Sequence, residues 1–190
     1  MKHEIKIGID PSINSTGICV NDVTSGEVTY YIVTSKMTKK MKEFKHKSVI
    51  IKHYEKIDVK DCNYSQKETH KFTNILNICN NLTQILQPLQ QHNVEAYMEG
   101  VSYGSVGSAA LVDLSFLNSA LRMSLVNMGI PFTIVSPTSL KKFACANGQA
   151  EKEVMIDAWK RMDKNIAEIK DIKIDDLADS YFLSCYPKEI

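Results

Sequence analysis

Apolar residues return along this chain with two different periods, and the switches between them divide it into strands and helices. Residues 4–10 read Glu4, Ile5, Lys6, Ile7, Gly8, Ile9, Asp10. This alternation predicts a strand with one buried face. Residues 16–23 and 27–34 are rich in Ile, Val, Thr and Tyr, and turn residues at 11–15 and 24–26 set them apart. The three segments predict an antiparallel meander. Further on the period lengthens. Phe72, Ile75, Leu76, Cys79, Leu82, Ile85, Leu86 and Leu89 keep helical spacing, with Ser65–Glu68 as a capping-box pattern before them and Pro88 as a break. Residues 94–99 predict another strand, followed by a glycine-rich loop over 100–107. Residues 108–128 predict a helix that is apolar around much of its circumference. One face suffices to cover a sheet, so the surplus requires a second partner. After a strand at 131–135, Ser136-Pro137 reads as an N-cap with proline at the first helical position. That short helix runs to about Cys145, a turn at Asn147-Gly148 follows, and further helices are expected at 151–162 and from about Asp175. The order predicts an α/β fold. Its mixed five-stranded sheet is antiparallel in its first three strands, parallel thereafter, and flanked by helices.

A chain of 190 residues suits one domain. No apolar run of bilayer length stands out, and the N-terminus passes directly into a strand pattern. The expectation is a cytoplasmic protein without signal peptide or membrane partner. Five cysteines without CxxC spacing read as thiols of a reducing compartment, and the five histidines add no zinc-ligand spacing. The net charge of +1 says little about partners, but its distribution says more. Nine lysines between Lys36 and Lys60 face only Glu43, Glu55 and Asp58, which leaves the remainder of the chain net acidic. This segment, at about 36–60, reads as a basic insertion or ribbon. It is either a solvated loop or an arm that touches phosphates through Lys39, Lys40, Lys42, Lys45 and Lys47.

Four acids occupy positions suited to chemistry. Asp10 and Glu99 each close an apolar strand, and Asp176 and Asp179 share one helix face at i, i+3. Clustered carboxylates repel one another and call for divalent cations, and two such ions are a known means of cutting phosphodiesters. Each acid also has a plainer reading. Gly-Ile-Asp starts occur in nucleotide-binding kinases as well, and Asp176 and Asp179 suit a helix N-terminus.

Together these residues resemble the RuvC family of Holliday junction resolvases, the bacteriophage-type members most closely. The likeness rests on Gly8-Ile9-Asp10-Pro11-Ser12 with Thr16-Gly17 and on Met98-Glu99-Gly100-Val101. It extends through Ser136–Phe143, Asn147–Glu153 and Asp176-Leu177-Ala178-Asp179-Ser180. It implies an RNase H-like fold over residues 1–190, a homodimer, and a divalent-metal-dependent endonuclease that nicks four-way DNA junctions in pairs. Asp10, Glu99, Asp176 and Asp179 carry over as acids holding Mg²⁺ or Mn²⁺, with two ions expected per site. Lys152 carries over as the lysine near the scissile phosphate, and Lys141 or Lys142 as a DNA contact. Where bacterial members place a wedging aromatic, this chain has Ser102 with Tyr103 beside it, and Tyr103 could stack on an unpaired base. A broader branched-DNA endonuclease (forks, flaps, R-loops) and a non-catalytic nucleic-acid-binding relative are the alternatives. The helix at 108–128 is the expected dimer contact, with Leu117 as a candidate on its outward face.

Overall fold

The computed structural model describes residues 1–101, 108–163, 166, 169, 172 and 174–188. Strands β1 (Glu4–Asp10), β2 (Ser15–Asp22) and β3 (Glu27–Thr34) form the expected meander. A short helix α1 (Lys39–Glu43) leads to β4 (Val49–His53), which pairs with β3 in parallel. Helix α2 (Tyr64–Leu86) and a 3-10 turn at Gln87–Leu89 precede β5 (Asn93–Glu99), the parallel neighbour of β1. Then come α3 (Ser108–Asn127), β6 (Phe132–Val135), α4 (Pro137–Cys145), α5 (Lys152–Met162) and α6 (Ile174–Ser184). The sheet has six strands in the order β4-β3-β2-β1-β5-β6, one more than the five expected. The added strand is the apolar run at Val49-Ile50-Ile51. With α1 it makes the basic segment a crossover that ends in an edge strand.

That crossover separates the lysines. A parallel partner of β3 must enter from the end at which β3 begins, and its first residue, Val49, is level with Tyr30. Lys47 therefore lies beside Gly26 and Glu27, at the end of the sheet opposite Asp10. Lys39, Lys40, Lys42, Lys45 and Lys47 are all exposed, and Lys39 pairs with Glu43 at 4.0 Å.

Strand alternation sorts the sheet into two faces. Ile5, Ile7, Ile9, Ala96 and Met98 point to the side covered by α2 and α3, where Ile78, Leu82, Leu117 and Leu121 complete the core. Gly8, Asp10, Tyr97 and Glu99 fall on the other side, under α4, α5 and α6. There Trp159 donates to the Tyr30 hydroxyl at 3.0 Å, and that hydroxyl donates to Asp163 at 2.8 Å. This network ties the end of α5 to β3.

Ser136 caps α4 with Pro137 at its first positions, as expected. The capping box of α2 is Asn63 with Gln66 rather than Ser65 with Glu68. Asn63 supplies an equally good acceptor two residues earlier, which places Ser65 inside the first turn. In α3, Leu117 is fully buried against the sheet and is not on the outward face. The exposed apolar residues there are Val112, Phe116, Met123 and Val126. Contrary to expectation, Ala109–Asn127 is long and apolar enough to cross a bilayer by length and composition. Its inner face nevertheless carries Leu117, Leu121 and Leu125, which belong to the core.

Candidate active site

The acids meet because of register. β1 and β5 run in parallel with Ile9 level with Met98, so the next residues, Asp10 and Glu99, end adjacent strands side by side. Period two turns both toward α6. That helix lies unusually close to the sheet because Gly8 and Gly17 lack side chains. A Cβ at Gly8 would strike the backbone of Ser180 and Ser184, and one at Gly17 the backbone of Asp176. Ser180 and Ser184 are fully buried at this contact, and each hydroxyl donates to a carbonyl of its own helix. The i, i+3 pair Asp176 and Asp179 is thereby brought over the two strand ends.

Asp10, Glu99, Asp176 and Asp179 line one cleft of about 370 Å³ with Ser12, Lys141, Lys152, Met155 and Asp175. Lys141 comes from α4 and Lys152 from the start of α5. Lys142 is exposed and does not line the cleft. Ser102 and Tyr103 lie outside the described residues.

Several supporting residues were not anticipated from the sequence. Asp175 accepts from the Lys152 ammonium at 2.8 Å and holds it at the cleft wall. Ser15 donates to Asp176 at 2.5 Å, fixing a carboxylate that is only 9% exposed. From the opposite face, buried Asn118 donates to the Glu99 carbonyl at 3.1 Å. The Arg122 guanidinium donates to the Asn118 side chain at 2.6 and 3.0 Å, so α3 clamps the end of β5. Asp175 had a visible signal, its place beside Asp176. Asn118 showed only as a polar residue in an apolar helix.

Electrostatics mark the cleft as short of positive charge. Burial, then repulsion from Glu99, Asp179 and Asp176, holds Asp10 well above the usual carboxylate range. Burial first and the Asp179 charge second push Glu99 up to about 7. Burial and the Asp175 charge push Asp179 up to about 6. Lys141 and Lys152 oppose both shifts. Asp10 and Glu99 share a hydrogen bond between their carboxyls. Among the described residues, no three ligand-type side chains already close on a single point. The donor set nonetheless suits a hard divalent cation, because it consists of carboxylate oxygens, and at Asp10, Glu99 and Asp179 burial and mutual repulsion disfavour the charged form unless a cation balances it.

A consequence for stability follows. Folded-state pKa values above the unfolded value of about 4 mean that the folded protein binds more protons, so its stability falls as pH rises. Without divalent cations, these groups should stabilise the fold most at and below about pH 4, and this contribution should fall as pH rises and be lost once Asp179 and Glu99 have ionised at about 6 and about 7. The drop is expected to be on the order of a few kcal/mol. Mg²⁺ or Mn²⁺ should raise the melting temperature at pH 8 and far less at pH 5. Thermal melts in EDTA that improve steadily from pH 5 to 8, or that ignore cations at pH 8, would contradict this.

No family model and no curated protein matches the chain. Solved structures do. Thermus thermophilus RuvC in complex with a Holliday junction substrate aligns over 95% of this chain and 90% of its own, with 13% identity and a TM-score of 0.61. A second Thermus thermophilus RuvC structure gives the same coverages, 14% identity and a TM-score of 0.57. The yeast mitochondrial Holliday junction resolvase aligns over 94% of this chain and 75% of its own, with 15% identity and a TM-score of 0.51. By its strand order, its helices on both faces and these neighbours, the chain has the RNase H-like fold of the RuvC-type resolvases.

Proposed function

We propose that this protein is a divalent-cation-dependent endonuclease that resolves four-way DNA junctions by paired phosphodiester nicking. The supporting observation is the meeting of Asp10, Glu99, Asp176 and Asp179 with Lys141 and Lys152 in one cleft of a RuvC-type fold. In this reading Asp10, Glu99, Asp176 and Asp179 hold the cations. Bound divalent cations supply activation of the attacking water and charge compensation at the leaving 3′ oxygen. Lys141 and Lys152 add positive charge where the phosphorane becomes more negative. Asp175 keeps Lys152 at the cleft wall, and Ser15 keeps Asp176 oriented. The test is incubation with end-labelled four-way junctions, forks, R-loops and linear duplex, in Mg²⁺, Mn²⁺ or EDTA. Symmetric nicks in the junction alone, dependent on the cation, are the expected result. Comparable cutting of forks and R-loops would establish the broader branched-DNA activity. Tight binding without cutting of any substrate would establish a non-catalytic relative.

The same reading includes a two-fold homodimer, because a four-way junction offers two equivalent strands and a closed pair of sites matches that symmetry. Its contact is placed on the exposed stripe of α3. Val112, Phe116, Met123 and Val126, with Ser119 between them, recur at alternating spacings of four and three residues, the spacing of a helix–helix seam. Phe116 and Met123 are 58% and 60% exposed, too much apolar surface for a helix meant to face water. Phe116→Glu combined with Met123→Glu should convert the dimer to a folded monomer that binds junctions but loses coordinated double nicking. Leu117→Glu should instead unfold the protein, since that side chain belongs to the core. Sedimentation that finds the wild type monomeric at micromolar concentration, with paired nicking intact, would remove the dimer from the account.

A further inference from the structure

Glu99 is the last residue of β5, and its carboxylate is only as well placed as the backbone that carries it. Strand ends fray unless their outermost hydrogen bonds are made. On one side the bond is made, since the Gly100 N–H donates to the Val135 carbonyl at 2.8 Å. Across the same trans peptide the Glu99 carbonyl points the other way, toward β1. In a parallel ladder with Ile9 level with Met98, the donor due to that carbonyl is residue 11. Residue 11 is Pro11, which has no N–H, so the ladder cannot supply this bond.

Helix α3 supplies it from the face opposite the cleft. Asn118 is 2% exposed, flanked by the fully buried Leu117 and Leu121, and its Nδ2 donates to the Glu99 carbonyl at 3.1 Å. A side-chain amide can turn either way round, and Arg122 decides which. Its guanidinium donates to Asn118 Oδ1 from Nε at 3.0 Å and from Nη2 at 2.6 Å, which leaves Nδ2 facing Glu99. Burying an amide and half-burying an arginine in an apolar helix costs more than an aliphatic residue would, unless the polar groups are matched. Here they are matched, at the level of the residue that sends an acid into the cleft.

We propose that Asn118, oriented by Arg122, is a positioning residue for Glu99. It replaces the donor that Pro11 lacks, keeps the Glu99 carboxylate level with Asp10, and thereby sets the affinity of the cleft for divalent cations. Neither Asn118 nor Arg122 lines the cleft, so both act through the β5 backbone. This inference rests on the reading of Glu99 as a cation-holding acid.

The test is Mn²⁺ binding at pH 8, by titration calorimetry without DNA. Asn118→Asp keeps the volume and gives Arg122 a charged partner, but offers the carbonyl no donor. Its added negative charge would by itself tighten cation binding, so weaker binding reports lost placement. The dissociation constant should rise about tenfold or more, the scale for groups that orient a metal's ligands. Arg122→Gln frees the amide to turn. It should weaken binding in the same direction, and it covers the case in which Asn118→Asp fails to fold. Arg122→Lys restores a cationic donor and should recover most of the loss. Junction affinity in EDTA should be unchanged in all three. A merely structural role would lower the urea midpoint in EDTA and leave the Mn²⁺ affinity of the folded variants at the wild-type value, and that result would overturn the proposal. The two readings fail distinguishably. A wild type that binds no Mn²⁺, or a Glu99→Gln variant that binds it as tightly as the wild type, defeats the cation reading of Glu99 and this inference with it. Weak binding by Glu99→Gln beside wild-type binding by Asn118→Asp and Arg122→Gln defeats this inference alone.

Discussion

Asp10→Asn, Glu99→Gln and Asp179→Asn should each slow junction cutting by at least about 10²–10³-fold, the usual loss when one preorganised charge is removed from a reacting centre. The acids stand in a cleft where burial already keeps their carboxyls from ionising freely. Each charge lost there weakens the hold on a divalent cation at the point where transition-state charge must be balanced. Junction binding should persist, and it can tighten, because removing a negative charge reduces repulsion from the scissile phosphate. Single-turnover cleavage at saturating Mg²⁺, measured beside affinity in Ca²⁺ or EDTA, separates the two effects. A variant that cuts at nearly the wild-type rate would strike that residue from the site.

Gly8→Ala and Gly17→Ala should be among the most damaging single-methyl additions in the protein. The added Cβ meets backbone atoms of α6, not the mobile end of a side chain, so no rotamer change relieves the contact. Overpacking commonly costs about 1–3 kcal/mol, and a collision with backbone belongs at or above the upper end. Against a domain stability of roughly 5–15 kcal/mol that is a large fraction. Whatever remains folded must move α6 outward, carrying Asp176 and Asp179 away from Asp10 and Glu99. A displacement of roughly 1 Å can itself cost about 10²-fold in rate. Gly26→Ala is the control. Its Cβ would meet nothing, and only the positive φ of 76° opposes the change. Urea midpoints within experimental error of wild type for Gly17→Ala, with normal cutting, would show that α6 does not depend on this close approach.

Much of the site was written locally. The alternation of Ile5, Ile7 and Ile9 settles that Asp10 shares a face with Gly8, whatever that face meets. Helical spacing settles that Asp176 and Asp179 go together, and Ser136-Pro137 settles where α4 begins. Such features depend on a few adjacent residues, and any fold that uses these segments must respect them.

Other decisions belong to contacts between distant segments. That Asp10 and Glu99 are neighbours depends on the β1–β5 register, which links residues about 90 apart. The basic segment could have been a ribbon. It became a crossover because Val49-Ile50-Ile51 found an edge beside β3, and this sent Lys47 to the end of the sheet away from the acids. The helix over 108–127 offered apolar residues on nearly every side. Only packing against the sheet chose Leu117, Leu121 and Leu125 for the core and left Phe116 and Met123 outside. The pairing of Lys152 with Asp175 and the Asn118 clamp on β5 likewise arise from side chains meeting across helices and strands. Periodicity determines which residues share a face. Burial and hydrogen bonding between elements determine what each face meets, and no local pattern carries that information.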